Sequence, residues 1–303
     1  MTFHVITGRG AAGSRTALLL AEDGERVKIV SRSGGGPDHP LIERIAADVT
    51  DADRLTGLLE GAATLFSCAA PPYHRWVQEF PALATGTLTA VRRTGTPLVM
   101  LGNLYAYGLV EGPVSPGLPL RATGPKGRLR ARIWEEAAAS GAQVTEVRAG
   151  QFYGAGAVSV FSLLVQSQVL AGALSLVPQE LDLPHSYSSI GDTARTLVAA
   201  SRDERAWGRA WHVPVVTPSV RELAVRLTEL AGAPRPRLEK LTERDVALLA
   251  LTDPFWAELH EVLYTPGLPY VSDFTETEKI LGVMPTPVDE VLAEVLQRPP
   301  VNI

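Results

Sequence analysis

One short segment constrains this chain more than any other: an apolar strand pattern that runs straight into a glycine-rich turn and then into a helical pattern. Phe3-His4-Val5-Ile6 reads as a buried strand, Gly8-Arg9-Gly10-Ala11-Ala12-Gly13 follows at once, and Ser14 to Glu22 sets Ala17, Leu18, Leu20 and Ala21 at helical spacing. A Gly-x-Gly-x-x-Gly match is weak by itself; between a strand and a helix it reads as the phosphate-binding turn of a dinucleotide domain. Gly8 permits the tight turn and Gly10 lets the backbone approach a pyrophosphate. Gly13 lets helix and strand pack closely, and the free N–H groups of the helix start face the phosphates. The competing reading is a glycine turn in a domain that binds nothing.

The same rhythm continues. Strand patterns at Arg26–Val30, Ile45–Asp48, Ala63–Cys68, Pro97–Leu101 and Gln143–Arg148 alternate with helical patterns at Asp51–Gly61, Trp76–Thr94 and Lys126–Ser140. Such alternation predicts an α/β fold, a Rossmann-like doubly wound parallel sheet with right-handed crossovers. Beyond about residue 150 prolines and aromatics break the rhythm, as in a smaller C-terminal substrate-binding lobe, and Ala210–Val213 reads as one strand returning to the sheet. The expected division is residues 1–154, with 186–216 returning, for the dinucleotide and residues 155–185 and 217–303 for the substrate.

Composition removes other classes. A net charge of −5 argues against nucleic acid, the single Cys68 leaves no disulfide framework, and no Cys/His cluster suggests a metal. No signal segment opens the chain, so a cytoplasmic setting is expected. Ala155 to Val177 carries no charge, but Ser159, Ser162, Gln166, Ser167, Gln168 and Gly172 interrupt it, so a buried helix or pocket wall is expected rather than a membrane span. Thr252 to Leu263 sets Phe255, Trp256, Leu259 and Leu263 at helical spacing, read as core of the lobe more than as substrate contact.

The second strand ends at Ser31-Arg32-Ser33, with no acid for the ribose hydroxyls. Arg32 and Arg9 suit a 2′-phosphate, so NADP(H) is expected over NAD(H); the alternative is two solvated arginines. Asp48 is expected on the adenine amino group, or as a helix cap.

The chain resembles the atypical or extended short-chain dehydrogenase/reductases, the NAD-dependent epimerase/dehydratase family, over nearly its whole length. The resemblance rests on Ala47-Asp48-Val49-Thr50-Asp51, Phe66-Ser67-Cys68-Ala69-Ala70, Asn103-Leu104-Tyr105-Ala106-Tyr107-Gly108, Arg148 to Gly156, and Ser188 to Ala194, in the family's order. It implies a dinucleotide held by Thr7, Gly8, Arg9, Gly10, Ala11, Ala12, Gly13, Ser31, Arg32, Asp48, Val49, Ala69, Ala70, Asn103, Lys126, Phe152 and Tyr153. The departures are pointed. Asn103 stands where the family has Ser or Thr, and no tyrosine occurs between Leu118 and Glu136. The Tyr-x-x-x-Lys proton relay is therefore missing, and the glycine turn is one residue tighter than the common form.

Two readings follow. In one, a reductase survives, with Asn103, Tyr105 or Tyr107 donating to the carbonyl oxygen, Lys126 near the nicotinamide ribose and His185 in reserve as proton donor. A ketone with a neighbouring phenolic hydroxyl would polarise itself, so the expected substrate is an aromatic, polyketide-like ketone, and the expected relatives are ketoreductases of angucyclinone antibiotic biosynthesis. Tyr73, His74, Trp76, Tyr107 and Tyr187 are the candidate substrate contacts, with internal packing as the alternative for Tyr73, His74 and Trp76. A homodimer is compatible with this; nucleic acid and membrane are not expected partners. The other enzyme reading is a nucleotide-sugar epimerase or dehydratase, and outside enzymes a non-catalytic NADP(H) sensor.

Overall fold

The computed structural model describes residues 2–262 and 267–297, and Leu263 of the aromatic stripe lies outside them. The first strand, β1 (Phe3–Thr7), leads through the glycine turn into α1 (Ala11–Glu22). Then come β2 (Arg26–Ser31), β3 (Ile42–Ala46), α2 (Ala52–Leu59), β4 (Ala62–Ser67) and α3 (Trp76–Thr94). The half closes with β5 (Leu98–Asn103), α4 (Pro125–Ala138) and β6 (Val144–Ala149). These strands, with a later β10 (Ala210–His212), form one parallel seven-stranded sheet in the order β10-β6-β5-β4-β1-β2-β3. The order reverses at β1/β4, and the glycine turn sits at that reversal, where open α/β sheets bind ligands.

Both faces of the sheet are covered, so its strands are apolar on both sides. Neighbours in sequence divide between the two faces: Val5, Leu65 and Leu98 pack with α2, α3 and α4 through Leu55, Leu83 and Ile133, whereas Ile6, Phe66 and Val99 pack with Leu20 and Leu197 on the opposite face. Sequence-encoded stops set the helix lengths. Asp51 caps α2 by accepting from Arg54 N, and Gly95, at φ +70°, ends α3 with its N–H on Val91 O.

The third strand is the main boundary correction. The expected Ile45–Asp48 becomes Ile42–Ala46, because Asp48 turns to accept from both Thr50 N and Thr50 Oγ1 at 2.9 and 2.8 Å. The edge strand it leaves is polar at Glu43 and Arg44, which hid its start.

The second half of the chain builds a lobe over the carboxyl edge of the sheet. Its elements are β7 (Gln151–Tyr153), α5 (Ser167–Leu170), β8 (Leu174–Val177), β9 (Tyr187–Ser189), α6 (Ile190–Arg202), α7 (Val220–Ala231), β11 (Arg237–Lys240), α8 (Glu243–Ala250), α9 (Pro254–Val262) and α10 (Val288–Gln297). Two-stranded parallel pairs, β7 with β9 and β8 with β11, organise it, while α6 packs back on α1. The uncharged 155–177 stretch buries Val160, Phe161, Val165 and Val169 in the lobe core, as a pocket wall does. Among the described residues no helix is long and apolar enough to cross a membrane.

Candidate functional site

A single cavity of about 1750 Å³ runs from the glycine turn, past the ends of β4 and β5, to the lobe. Pockets for one small ligand run to roughly 300–1,000 Å³, so this one has room for two ligands side by side.

At its first end the three glycines do separate work. Gly8 has φ +93°, and a Cβ there would lie 2.6 Å from Ala69 N, so neither the turn nor the neighbouring strand end tolerates a side chain. A Cβ on Gly13 would lie 2.1 Å from Gly8 O. A Cβ on Gly10 would meet no atom within 4 Å; its open side faces the cavity, where a phosphate needs the room. No side chain caps α1 and no acid occupies its first turn, which leaves the positive end of the helix to an anion. This cradle fits a dinucleotide pyrophosphate.

Of the expected cofactor contacts, Gly8, Arg9, Gly10, Ala11, Ala12, Gly13, Ser31, Arg32, Asp48, Val49, Ala69, Ala70, Asn103 and Phe152 all line the cavity. Three expected cofactor contacts do not. Thr7 is fully buried in the sheet, with its carbonyl accepting from Cys68 N. Tyr153 is core of the lobe, its ring edge-on to Tyr187. Lys126 is buried at the start of α4, ion-paired to Glu258 of α9 and 4.8 Å from the centre of the Tyr73 ring.

The middle of the cavity is where β5 ends. Asn103 Oδ1 accepts from Tyr105 N at 3.1 Å, capping the 3-10 turn Leu104–Tyr107. This commits the oxygen of the amide to the chain and leaves its N–H donors for a ligand. Tyr105 lines the cavity two residues on, and its hydroxyl lies 3.4 Å from that of Tyr73. Tyr73 and Trp76 pack edge to face at 5.1 Å between ring centres and continue the wall. Their neighbour His74 is exposed and outside the cavity, because the 3-10 turn Tyr73–Arg75 rotates it to solvent.

Two other expected substrate contacts are structural. Tyr107 is buried behind β5, its hydroxyl bonded to Arg148 at 2.5 Å and His212 at 2.8 Å. Tyr187 is buried in the lobe, accepting from Gln179. His185 does line the cavity, stacked on Tyr270, but burial pushes its imidazole down to about 4. At neutral pH it is uncharged, and the role of imidazolium proton donor is withdrawn.

Sequence reasoning missed the far wall. Gln151, Gln179, Glu180, Lys240, Thr242 and Tyr270 line it from four separate segments, a convergence with no local signature. Phe255 and Leu259, read as core, line the cavity as well as packing in the lobe. Arg130, one helical turn after Lys126, reaches the cavity while donating to Leu101 O and to Glu146.

The whole molecule is similar to solved NAD-binding sugar-nucleotide enzymes. MoeE5 in complex with UDP-glucuronic acid and NAD is 20% identical, with 96% of this chain and 97% of that one covered at a TM-score of 0.77. UDP-glucuronic acid 4-epimerase from Bacillus cereus in complex with NAD is 16% identical, with 98% and 99% covered at 0.78. UDP-glucose 4-epimerase from Thermotoga maritima with UDP-glucose is 15% identical, with 98% and 99% covered at 0.76. The fold is therefore the Rossmann-like one that these epimerase structures share. No protein-family model matches the sequence, and no curated protein matches it.

The comparison overturns the expected NADP(H). Several similar structures are complexes with NAD, those of MoeE5, the Bacillus cereus epimerase and the Bordetella bronchiseptica enzyme WbmH among them. The two arginines also have internal engagements. Arg9 Nε donates to Ser33 Oγ at 3.0 Å. Asp48 is held below its ordinary value first by the Thr50 N–H and hydroxyl and then by the charge of Arg32, so that charge faces a carboxylate.

Proposed function

We propose that this chain is an NAD(H)-dependent oxidoreductase of the nucleotide-sugar epimerase/dehydratase kind, acting at a carbinol or ketone carbon of a small molecule. The observation that carries the reading is the continuity of the cavity: a pyrophosphate cradle at one end, a roomy lobe at the other, and the Asn103 amide between them. Bound NAD(H) would supply or take the hydride. Gly8 to Gly13 would hold its pyrophosphate, and Ala69, Ala70 and Phe152 would flank its far half. Asn103 would donate to the substrate oxygen, where negative charge develops; one such donor is worth about 10²–10³ in kcat. A cytoplasmic setting belongs to this reading.

The sugar-nucleotide structures support a nucleotide sugar as substrate. One observation favours a second reading, reduction of an aromatic, angucyclinone-like ketone. Away from the adenosine end, the cavity's described cations are Arg130, held by Glu146, and Lys240, held by Glu180. A diphosphate is normally gripped by free guanidinium or ammonium groups, whereas Tyr73, Trp76, Leu163 and Phe255 offer apolar surface.

The test pairs two assays: conversion of UDP-glucose and UDP-glucuronic acid in the presence of NAD, and NADH oxidation with 8-hydroxy-1-tetralone. A converted UDP-sugar supports the first substrate, and turnover of the ketone alone supports the second. NADH binding with no conversion of either overturns both. In whichever assay turns over, Asn103→Ala is expected to lower kcat about 100-fold while NADH affinity, read by fluorescence, stays within about twofold.

A further inference from the structure

The proposed reaction needs a proton on the substrate oxygen, and the residue expected of this fold is replaced. The described cavity narrows the choice. The Cys68 thiol is pushed up to about 12 by burial, and its Cβ lies against Gly13 inside the glycine turn. The Tyr270 hydroxyl donates to Leu104 O at 3.1 Å, His185 is uncharged, and Glu180 is tied to Lys240. Tyr105 lines the cavity on the same turn as Asn103, which fixes its backbone N–H, and a second phenol lies within reach of its own.

We infer that Tyr105 is the proton-exchanging catalytic residue and that Tyr73, 3.4 Å away hydroxyl to hydroxyl, returns its proton. The inference rests on the reading of the chain as an oxidoreductase. In the reducing direction the carbonyl π pair becomes an O–H bond with the Tyr105 proton as the carbon gains the hydride named above. The Tyr105 oxygen, left anionic, takes the Tyr73 proton, and Tyr73, half-buried at the cavity wall, takes one from solvent. Oxidation runs the same path backwards. An O···O separation of 3.4 Å is long for such a bond, and catalytic hydrogen bonds tighten when substrate closes the site. The surroundings favour the anion that passes through: the Lys126 ammonium sits 4.8 Å from the Tyr73 ring centre, in a buried place where charges act strongly even with Glu258 beside it. Tyr73 and Tyr105 come from loops after different strands, and Trp76 braces both rings. The relay is thus assembled in space from residues that sequence spacing does not link.

The first experiment needs no substrate. With all seven tyrosines labelled at 13Cζ, Tyr105→Phe should delete one resonance and move a second, the one that Tyr73→Phe deletes. If Tyr105→Phe moves no other resonance, the phenols are not paired and the relay is overturned. The second experiment uses the assay that turns over above. Tyr105→Phe should lower kcat at least 100-fold, leave NADH affinity within about twofold, and abolish the solvent deuterium isotope effect; Tyr73→Phe should lower kcat about fivefold. Wild-type rates in Tyr105→Phe overturn the relay and leave the oxidoreductase reading standing. Wild-type protein that converts nothing overturns both.

Discussion

At the scale of single residues, the glycine turn separates two jobs that one motif hides. Gly10 faces open cavity and Gly13 faces the Gly8 carbonyl. Gly10→Ala should therefore keep the wild-type thermal midpoint within a degree or so while weakening NADH at least tenfold, because the new methyl occupies phosphate space. Gly13→Ala should do both kinds of damage. Its Cβ would lie 2.1 Å from a backbone oxygen, so the helix start has to move, costing about 1–3 kcal/mol. Thermal unfolding beside a fluorescence titration distinguishes the two; equal loss of stability in both variants would refute the division. This part of the site was legible because glycine roles follow from backbone sterics alone. The aromatic residues were not: Tyr73 and Tyr105 face the cavity while Tyr107 and Tyr187, equally attractive in sequence, point into cores. Direction of a side chain is set by the turn that carries it, and the 3-10 turns here have no strong pattern.

At the scale of elements, helices were read closely where a stop is written in the chain, as with α3 from Trp76 to the left-handed Gly95. The strand β6 shows what apolar patterning misses. It reads as one more buried strand, yet Glu146 and Arg148 point into the protein from the same face, and Glu146 accepts from Arg130 at 3.0 Å and Arg148 at 2.6 Å. Gly102 on the neighbouring β5 makes the room: a Cβ there would meet Glu146 Oε1 at 2.4 Å. The carboxylate joins β6 to α4, and through Arg130 to the Leu101 carbonyl just before Asn103. Glu146→Ala leaves two guanidinium groups buried without it, and breaking such a pair costs about 3–5 kcal/mol. Urea unfolding should show that loss, with Glu146→Gln, which keeps an acceptor, losing less. A change under about 1 kcal/mol in Glu146→Ala would mean that the network contributes no net stability.

At the scale of the whole molecule, the lobe and the sheet are joined by buried polar bonds as well as by the cavity they share, and these make the fold sensitive to acid. His212 of β10 is fully buried, its Nε2 on the Tyr107 hydroxyl at 2.8 Å and its Nδ1 on Asp273 O at 3.0 Å. Nδ1 therefore carries the proton and Nε2 accepts, the neutral tautomer. Burial, and then the charge of Arg148, push its value down to about 3 from 6.5. Between those values the unfolded chain binds a proton that the folded chain refuses, so stability is fully present above 6.5 and falls as pH falls. One such proton gives a slope of about 1.4 kcal/mol per pH unit. Urea unfolding from about pH 6.5, where the unfolded imidazole is half protonated, down to about pH 5, above the range where most carboxylates titrate, should show the slope rising toward that value. His212→Gln, which keeps an acceptor for Tyr107, should be less stable at neutral pH yet show a flatter slope. An unchanged slope in His212→Gln would place the acid sensitivity in another group, and the joint between β10 and the segment at Asp273 would then lose its claim to set it.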